Sequence, residues 1–381
     1  MPDTLLRTVD MNSHPYLSGR FAPVRAETEA DGLYVEGSLP TDLHGVFMRN
    51  GPNPKFPPLG SFTYPMEGDG MIHAVWIEAG SARYRNRWVR TNGLRAEERA
   101  GRALFGGLMT PAFVDIGLLG PDPDPGWPVK LDAYINIVRH AGHYLALAEG
   151  APPYEVSPEL KTAGRFDFGG QLPLGVCAHP RFDRSTGEMV VFRYDVREPY
   201  LTWSAVGADG SLTQPPTPVD GTGKPFMIHD FTITEHYALF VIGPAVVNID
   251  AMLNGGDVLT WHPELGTRVV AVPRKGPGAP AVVHLEPFWV WHFANAYEDG
   301  TKVVTDFPWW SRLTLAAGGR TRRPERWRGA TAGPVLPAHP RPSQGHVRSG
   351  PPQRREQRVP AHRRPADGAA SPLPDCGRPV R

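Results

Sequence analysis

Short stretches of alternating apolar and polar side chains recur along the chain. The clearest runs from Phe231 to Thr234, turns at Glu235-His236 and returns as the apolar run Tyr237 to Ile242. Period-two alternation over β-favouring residues predicts a hairpin. Tyr134 to Arg139 and His143 to Ala148 flank an Ala141-Gly142 turn in the same way, and Ala74 to Glu78 and Ala82 to Val89 flank Ala79-Gly80. Met189 to Tyr194 and Leu201 to Val206 read as two more strands, with Arg181 to Glu188 as a connecting turn before them and Ala208-Asp209-Gly210 as a turn after them. Thr301 to Asp306 reads as a strand returning after the Glu298-Asp299-Gly300 turn. At the N-terminal side, Leu33 to Ser38 and Gly45 to Arg49 are predicted as strands and Arg49 to Pro54 as a fixed, turn-dense loop. Hairpins at this density with almost no helical periodicity predict an all-β propeller.

Three histidines open strand-like segments. His179 stands before Pro180, which biases its backbone toward extended geometry; His229 heads the Phe231 alternation; His292 lies in Trp291 to Tyr297. Their separations, 50 and 63 residues, are close to the roughly 40–50 residues of one propeller blade plus insertions. One imidazole per blade, held on a stiff strand and aimed at the axis, is a geometrically reasonable arrangement at this spacing. Taken singly, a histidine beside a strand is more commonly a hydrogen-bonded structural residue than a metal ligand. Gly68-Asp69-Gly70 is no phosphate loop, because the lysine and Ser/Thr of that motif are absent, and it lacks the alternating acidic ligands of a calcium loop.

Composition changes the picture at the C-terminal side. The chain of 381 residues has a net charge of +1, which argues against nucleic acid as its main partner. That neutrality is an average. Residues 321–381 hold 13 Arg and 12 Pro against four acidic residues and no Lys, Ile, Phe, Tyr or Met, a net charge of +9, while the preceding 320 residues carry −8. Two cysteines, Cys177 and Cys376, form no disulfide framework, so a reducing cytoplasm is the expected compartment. Residues 1–20 lack a continuous apolar core and no run approaches a membrane span. Ala100 to Gly120, with Leu104, Phe105, Leu108, Met109, Phe113, Ile116, Leu118 and Leu119, is either a buried part of a cap or a mouth that dips into a membrane.

Arg49 to Pro54, Glu67 to His73, the Ala-Leu-Ala-Glu-Gly stretch before Tyr154, Ala178-His179-Pro180, Ile228 to Phe231 and His292 to Tyr297 together resemble the carotenoid cleavage oxygenase family, in order from about residue 30 to about residue 315. The resemblance implies a seven-bladed β-propeller with a dome of loops and short helices, incomplete in this chain. It implies iron(II) on the axis, held by His179, His229 and His292, with Glu149 accepting a hydrogen bond from a ligand imidazole. A fourth histidine ligand is expected near the family's C-terminus; His339, His346 and His362 have none of its flanking residues. The expected organisation is therefore an extension at 1–30, a partial propeller domain at 31–315 and an Arg/Pro-rich tail at 316–381. That tail is either a shift of reading frame between about Thr314 and Arg328 or a genuine basic tail without fixed structure.

The function the resemblance implies is an iron(II)-dependent dioxygenase that splits a conjugated double bond of a carotenoid or apocarotenoid into two carbonyl products, with an apolar polyene and dioxygen as partners and peripheral membrane contact through 100–120. With three of four imidazoles, weak iron binding and loss of activity are expected of this chain. Two alternatives stay open: a stilbene-cleaving enzyme of the same fold, with Lys130 and Tyr134 as candidates to hold a phenolate, and a propeller used as a binding scaffold without iron.

Overall fold

The computed structural model describes residues 6–112, 114–120, 130–219, 222–254, 256–276, 278–313 and 336–337. The tail expected at 316–381, His339, His346, His362, Phe113 and Cys376 lie outside the described residues, apart from the pair Leu336–Pro337.

Four antiparallel sheets of four strands follow one another along the chain. The first contains β1 (Glu29–Ala30), β2 (Gly45–Pro52), β3 (Gly70–Glu78) and β4 (Ser81–Trp88). The second contains β5 (Asn136–His140), β6 (His143–Leu147), β7 (Tyr154–Val156) and β8 (Thr162–Arg165), and the third β9 (Arg181–Phe182), β10 (Met189–Tyr194), β11 (Leu201–Val206) and β12 (Leu212–Pro218). The fourth begins with β13 (Thr232–Ile233) and β14 (Tyr237–Ile242), is interrupted by the separate ribbon of β15 (Ala245–Val247) and β16 (Leu259–Trp261), and ends with β17 (Thr267–Pro273) and β18 (Ala281–Leu285). A fifth sheet has three strands among the described residues, β20 (Asn295–Asp299), β21 (Lys302–Asp306) and β23 (Leu336–Pro337). A two-stranded ribbon of β19 (Trp289–Val290) and β22 (Trp309–Trp310) flanks it.

Successive sheets pack face to face. Ile72 and Ala74 of the first meet Ala146, Tyr154 and Val156 of the second. Leu145, Phe192, Trp203, Phe240 and Val270 join the second, third and fourth, and Leu239 and Val269 of the fourth meet Phe293 and Val303 beside the fifth. Consecutive antiparallel sheets stacked in this way are the blades of a β-propeller, and burial of such clusters is its main driving force. The blades are also pinned by charge. Arg274, its side chain 1% exposed, donates to Asp183 Oδ2 and Glu188 Oε2 of the third blade, each at 2.9 Å, and to the Thr234 carbonyl at 2.7 Å.

The hairpins predicted at Ala79-Gly80 and Ala141-Gly142 form as two-residue turns, closing the pairs Glu78↔Ser81 and His140↔His143. Both residues of each turn have positive φ, 48° and 78° in the first, the twist such hairpins need, and Gly80 adopts it without a Cβ penalty.

Four local expectations are corrected. Leu33 to Ser38 is irregular rather than a strand; the edge strand is β1, and Leu33 N–H makes a single bond to the Ala82 carbonyl. Arg49 to Pro54 is not a loop throughout, because β2 runs on to Pro52; a proline is tolerated on this end strand of the sheet, where no neighbour needs its N–H. Arg181 to Glu188 is not wholly a turn, since Arg181 and Phe182 pair with Val190 and Met189. Finally, α1 (Asn92–Ala100) is a short helix that no periodicity in the sequence placed. Thr91 accepts a bond from Leu94 N–H at its start and Gly101, φ 68°, ends it, a cap pair legible in the sequence once sought.

Candidate metal centre

The three sequence-predicted histidines come together. Their ring centroids lie 5.0 Å apart for His179 and His229, 4.9 Å for His179 and His292, and 4.8 Å for His229 and His292. One ring nitrogen from each lies within 4.8 Å of the others. The placement differs from the expectation in one respect: none of the three is on a strand. His179 stands two residues before β9, and His229 and His292 three residues before β13 and β20. Each caps the first strand of its blade at the same end, so three consecutive blades deliver one imidazole apiece from short irregular segments.

The residues around the rings decide which nitrogen is free. Glu149 Oε2 bonds His229 Nδ1, leaving Nε2 as the ring's open nitrogen. Asp230, its side chain 2% exposed, lies 3.5 Å from His292 Nδ1 while its carboxylate takes a 2.6 Å bond from Arg181 and one from Phe293 N–H. His179 Nε2 is buried and has no hydrogen-bond partner. An orphaned imidazole nitrogen facing two others whose opposite nitrogens are occupied suits a cation. Burial, helped by the neighbouring His229, pulls His179 down to about 4, so its ring is neutral and its lone pair available at pH 7. Burial also acts on His229, but the bond to Glu149 and its charge outweigh it and hold that ring above the usual histidine value. Sequence reasoning found Glu149; it missed Asp230, although Asp230 directly follows a candidate ligand, and Tyr194, whose hydroxyl donates to Glu149 Oε1 at 2.5 Å.

The trio lies at the wall of a cavity of about 850 Å³, lined also by Tyr134, Phe105, Trp291 and Trp310. The loop landmarks build its other side. Asn50 donates its side-chain amide to the carbonyls of Ala133 and Asn136, at 2.8 and 3.0 Å. A Cβ on Gly70 would sit 2.1 Å from the Ala133 carbonyl oxygen, so only glycine allows that approach. Asp69 accepts from Lys55 N–H at 2.8 Å and from Lys130 Nζ at 2.5 Å. Lys130 further donates to Glu97 at 2.8 Å and lies 3.5 Å from Asp132. Of the apolar loop, Leu104, Phe105, Val114 and Leu119 are buried in one cluster with Ala96 of α1, whereas Leu118 is 44% exposed.

Residues 21–346 match the family described as retinal pigment epithelial membrane protein. The chain belongs to that family, the carotenoid cleavage oxygenases. This family member is 34% identical over 298 residues to an isoeugenol monooxygenase of Pseudomonas nitroreducens, a match covering 77% of the chain and 60% of the relative. It is 34% identical over 309 residues to a carotenoid 9,10(9',10')-cleavage dioxygenase of Phaseolus vulgaris, covering 76% and 56%. Among solved structures, the lignostilbene dioxygenase of Pseudomonas brassicacearum superposes with a TM-score of 0.71 at 28% identity, covering 87% of this chain and 72% of that one. This carotenoid cleavage oxygenase family chain thus spans about three fifths of the length of the curated relatives it matches.

Proposed function

We propose that the fold serves oxidative cleavage of a conjugated carbon–carbon double bond, with ferrous iron held by His179, His229 and His292. The observation that supports this most is the placement of three converging imidazoles, two of them backed by carboxylates, on the wall of a largely apolar cavity. All-nitrogen ligation adds no negative charge, so bound iron would stay electrophilic and supply dioxygen chemistry at the wall. In the net reaction the O–O bond and the C=C bond break and two carbonyls form. The chain's own residues orient the alkene along the aromatic walls, keep water from it and fix the imidazole tautomers. With only these three imidazoles converging among the described residues, the protein is expected to hold iron weakly and to turn over poorly without excess ferrous ion.

An apolar polyene is the first substrate class. The phenolic reading is favoured by Tyr134 and Lys130 lining the same cavity, but the Lys130 ammonium is already engaged by Asp69, Glu97 and Asp132. That reading therefore rests on Tyr134, whose hydroxyl donates to the Met66 carbonyl at 2.5 Å and whose oxygen is left to accept a phenol O–H. The scaffold reading has no need of three converging nitrogens. A cytoplasmic setting with the exposed Leu118 tip as a peripheral membrane contact completes the proposal; among the described residues no helix is long and apolar enough to cross a membrane.

The test is incubation of protein loaded with excess ferrous ion under ¹⁸O₂ with an apocarotenal and, separately, a hydroxystilbene. Labelled aldehydes from the polyene support the first reading, and labelled aldehydes from the stilbene alone support the second. No labelled carbonyl from either overturns the proposed activity.

A further inference from the structure

We propose that Tyr194 is a positioning residue of the metal centre, acting through Glu149 on His229; it rests on the metal reading above. Tyr194 closes β10 in the third blade, Glu149 follows β6 in the second, and His229 precedes β13 in the fourth. One carboxylate links all three. Its Oε1 accepts the Tyr194 O–H at 2.5 Å and its Oε2 bonds Nδ1 of His229. A carboxylate held at one oxygen can swing about its terminal torsion, which is broad; held at both, it cannot turn away from the imidazole. Fixing Oε2 against Nδ1 keeps the proton on that nitrogen and presents Nε2 as the lone pair toward the other two rings.

The tyrosine is itself immobilised. Its backbone pairs with Leu201, and its ring packs against the core shared by the second, third and fourth blades. Burial, followed by the adjacent Glu149 charge, holds its hydroxyl far above the ordinary tyrosine value, so it remains a donor. Tyr194 also lines the cavity, but its single O–H is spent on Glu149. It acts on the centre without giving a donor to a substrate.

The experiment titrates cobalt(II), followed by its visible bands and by calorimetry, into the metal-free full chain and its variants. Tyr194→Phe keeps the ring and removes the donor; we expect about tenfold weaker cobalt binding and an unchanged unfolding temperature of the metal-free protein. In a Glu149→Gln background the same change should add nothing, because the link it acts through is already broken. Equal affinity of Tyr194→Phe and the unsubstituted protein overturns the proposal, as does a full additional loss in the Glu149→Gln background. If Tyr194→Phe does not fold, 3-fluorotyrosine at 194, a more acidic donor of nearly the same shape, should shift the cobalt bands, and unshifted bands overturn the proposal. Failure of the unsubstituted protein to bind cobalt is a different result: it overturns the metal reading itself and this assignment with it.

Discussion

Glu149 and His229 meet across 80 residues of sequence, each in a different blade, and the bond between them exists only because the second, third and fourth blades stack in register. The imidazole is thereby given one occupied and one open nitrogen before any ligand arrives. Glu149→Gln replaces an acceptor with an amide that can donate to Nδ1 and so favours the wrong tautomer. Metal affinity should fall about 10- to 100-fold, measured by cobalt titration, while the circular dichroism of the metal-free protein stays the same.

Glu67 is a carboxyl in the cavity wall with no cationic partner among the described residues; it accepts Thr63 N–H at 3.1 Å. Burial lifts it to about 7 from an ordinary value of 4.5. A raised carboxyl binds its proton more tightly in the folded protein than in the unfolded chain, so stability is lost as pH rises from about 4.5 through about 7. Glu67→Gln, neutral at every pH, should therefore be more stable than the unsubstituted protein at pH 8, by about 3 kcal/mol at most, with the gain shrinking toward zero below pH ~4.5. Denaturant midpoints at pH 4 and pH 8 check this; a gap that does not grow with pH contradicts it.

Arg274 is a buried cation between two blades. Arg274→Ala leaves Asp183 and Glu188 without their shared counter-ion and the carbonyls of Thr234 and Glu235 without the Arg274 donor, a loss of about 3–5 kcal/mol for a broken buried pair. Arg274→Met, which fills the space, should lose as much or nearly so while the carboxylates remain, and recover part of it with Asp183→Asn and Glu188→Gln added. Thermal unfolding of the set distinguishes this from a simple packing defect, in which the added changes would not help.

The blades were legible where period-two alternation met a turn signal. β10, β11 and β14 have the bounds that their apolar runs suggest, and both Ala-Gly hairpins close where expected. The histidine trio was legible through the residues that flank each ring, with a spacing compatible with one imidazole per blade, and the three rings do come together. What escaped were features set by tertiary contact. β2 continues through Arg49-Asn50-Gly51-Pro52 because β3 offers it a partner, which local turn chemistry does not reveal. The nine residues of α1 are too few for a strong helical period, and only their caps announce them. Tyr194 and Asp230 act on the site through partners 45 and 62 residues away, and no spacing rule marks such residues.

The central claim is that His179, His229 and His292 hold one metal ion. Diffraction at the iron absorption edge from crystals grown with excess ferrous ion under anaerobic conditions tests it most directly. The account predicts one anomalous peak per chain bounded by these three imidazoles, and its loss in His229→Ala crystals. Well-ordered rings with no peak between them, or a peak that survives His229→Ala, would contradict it.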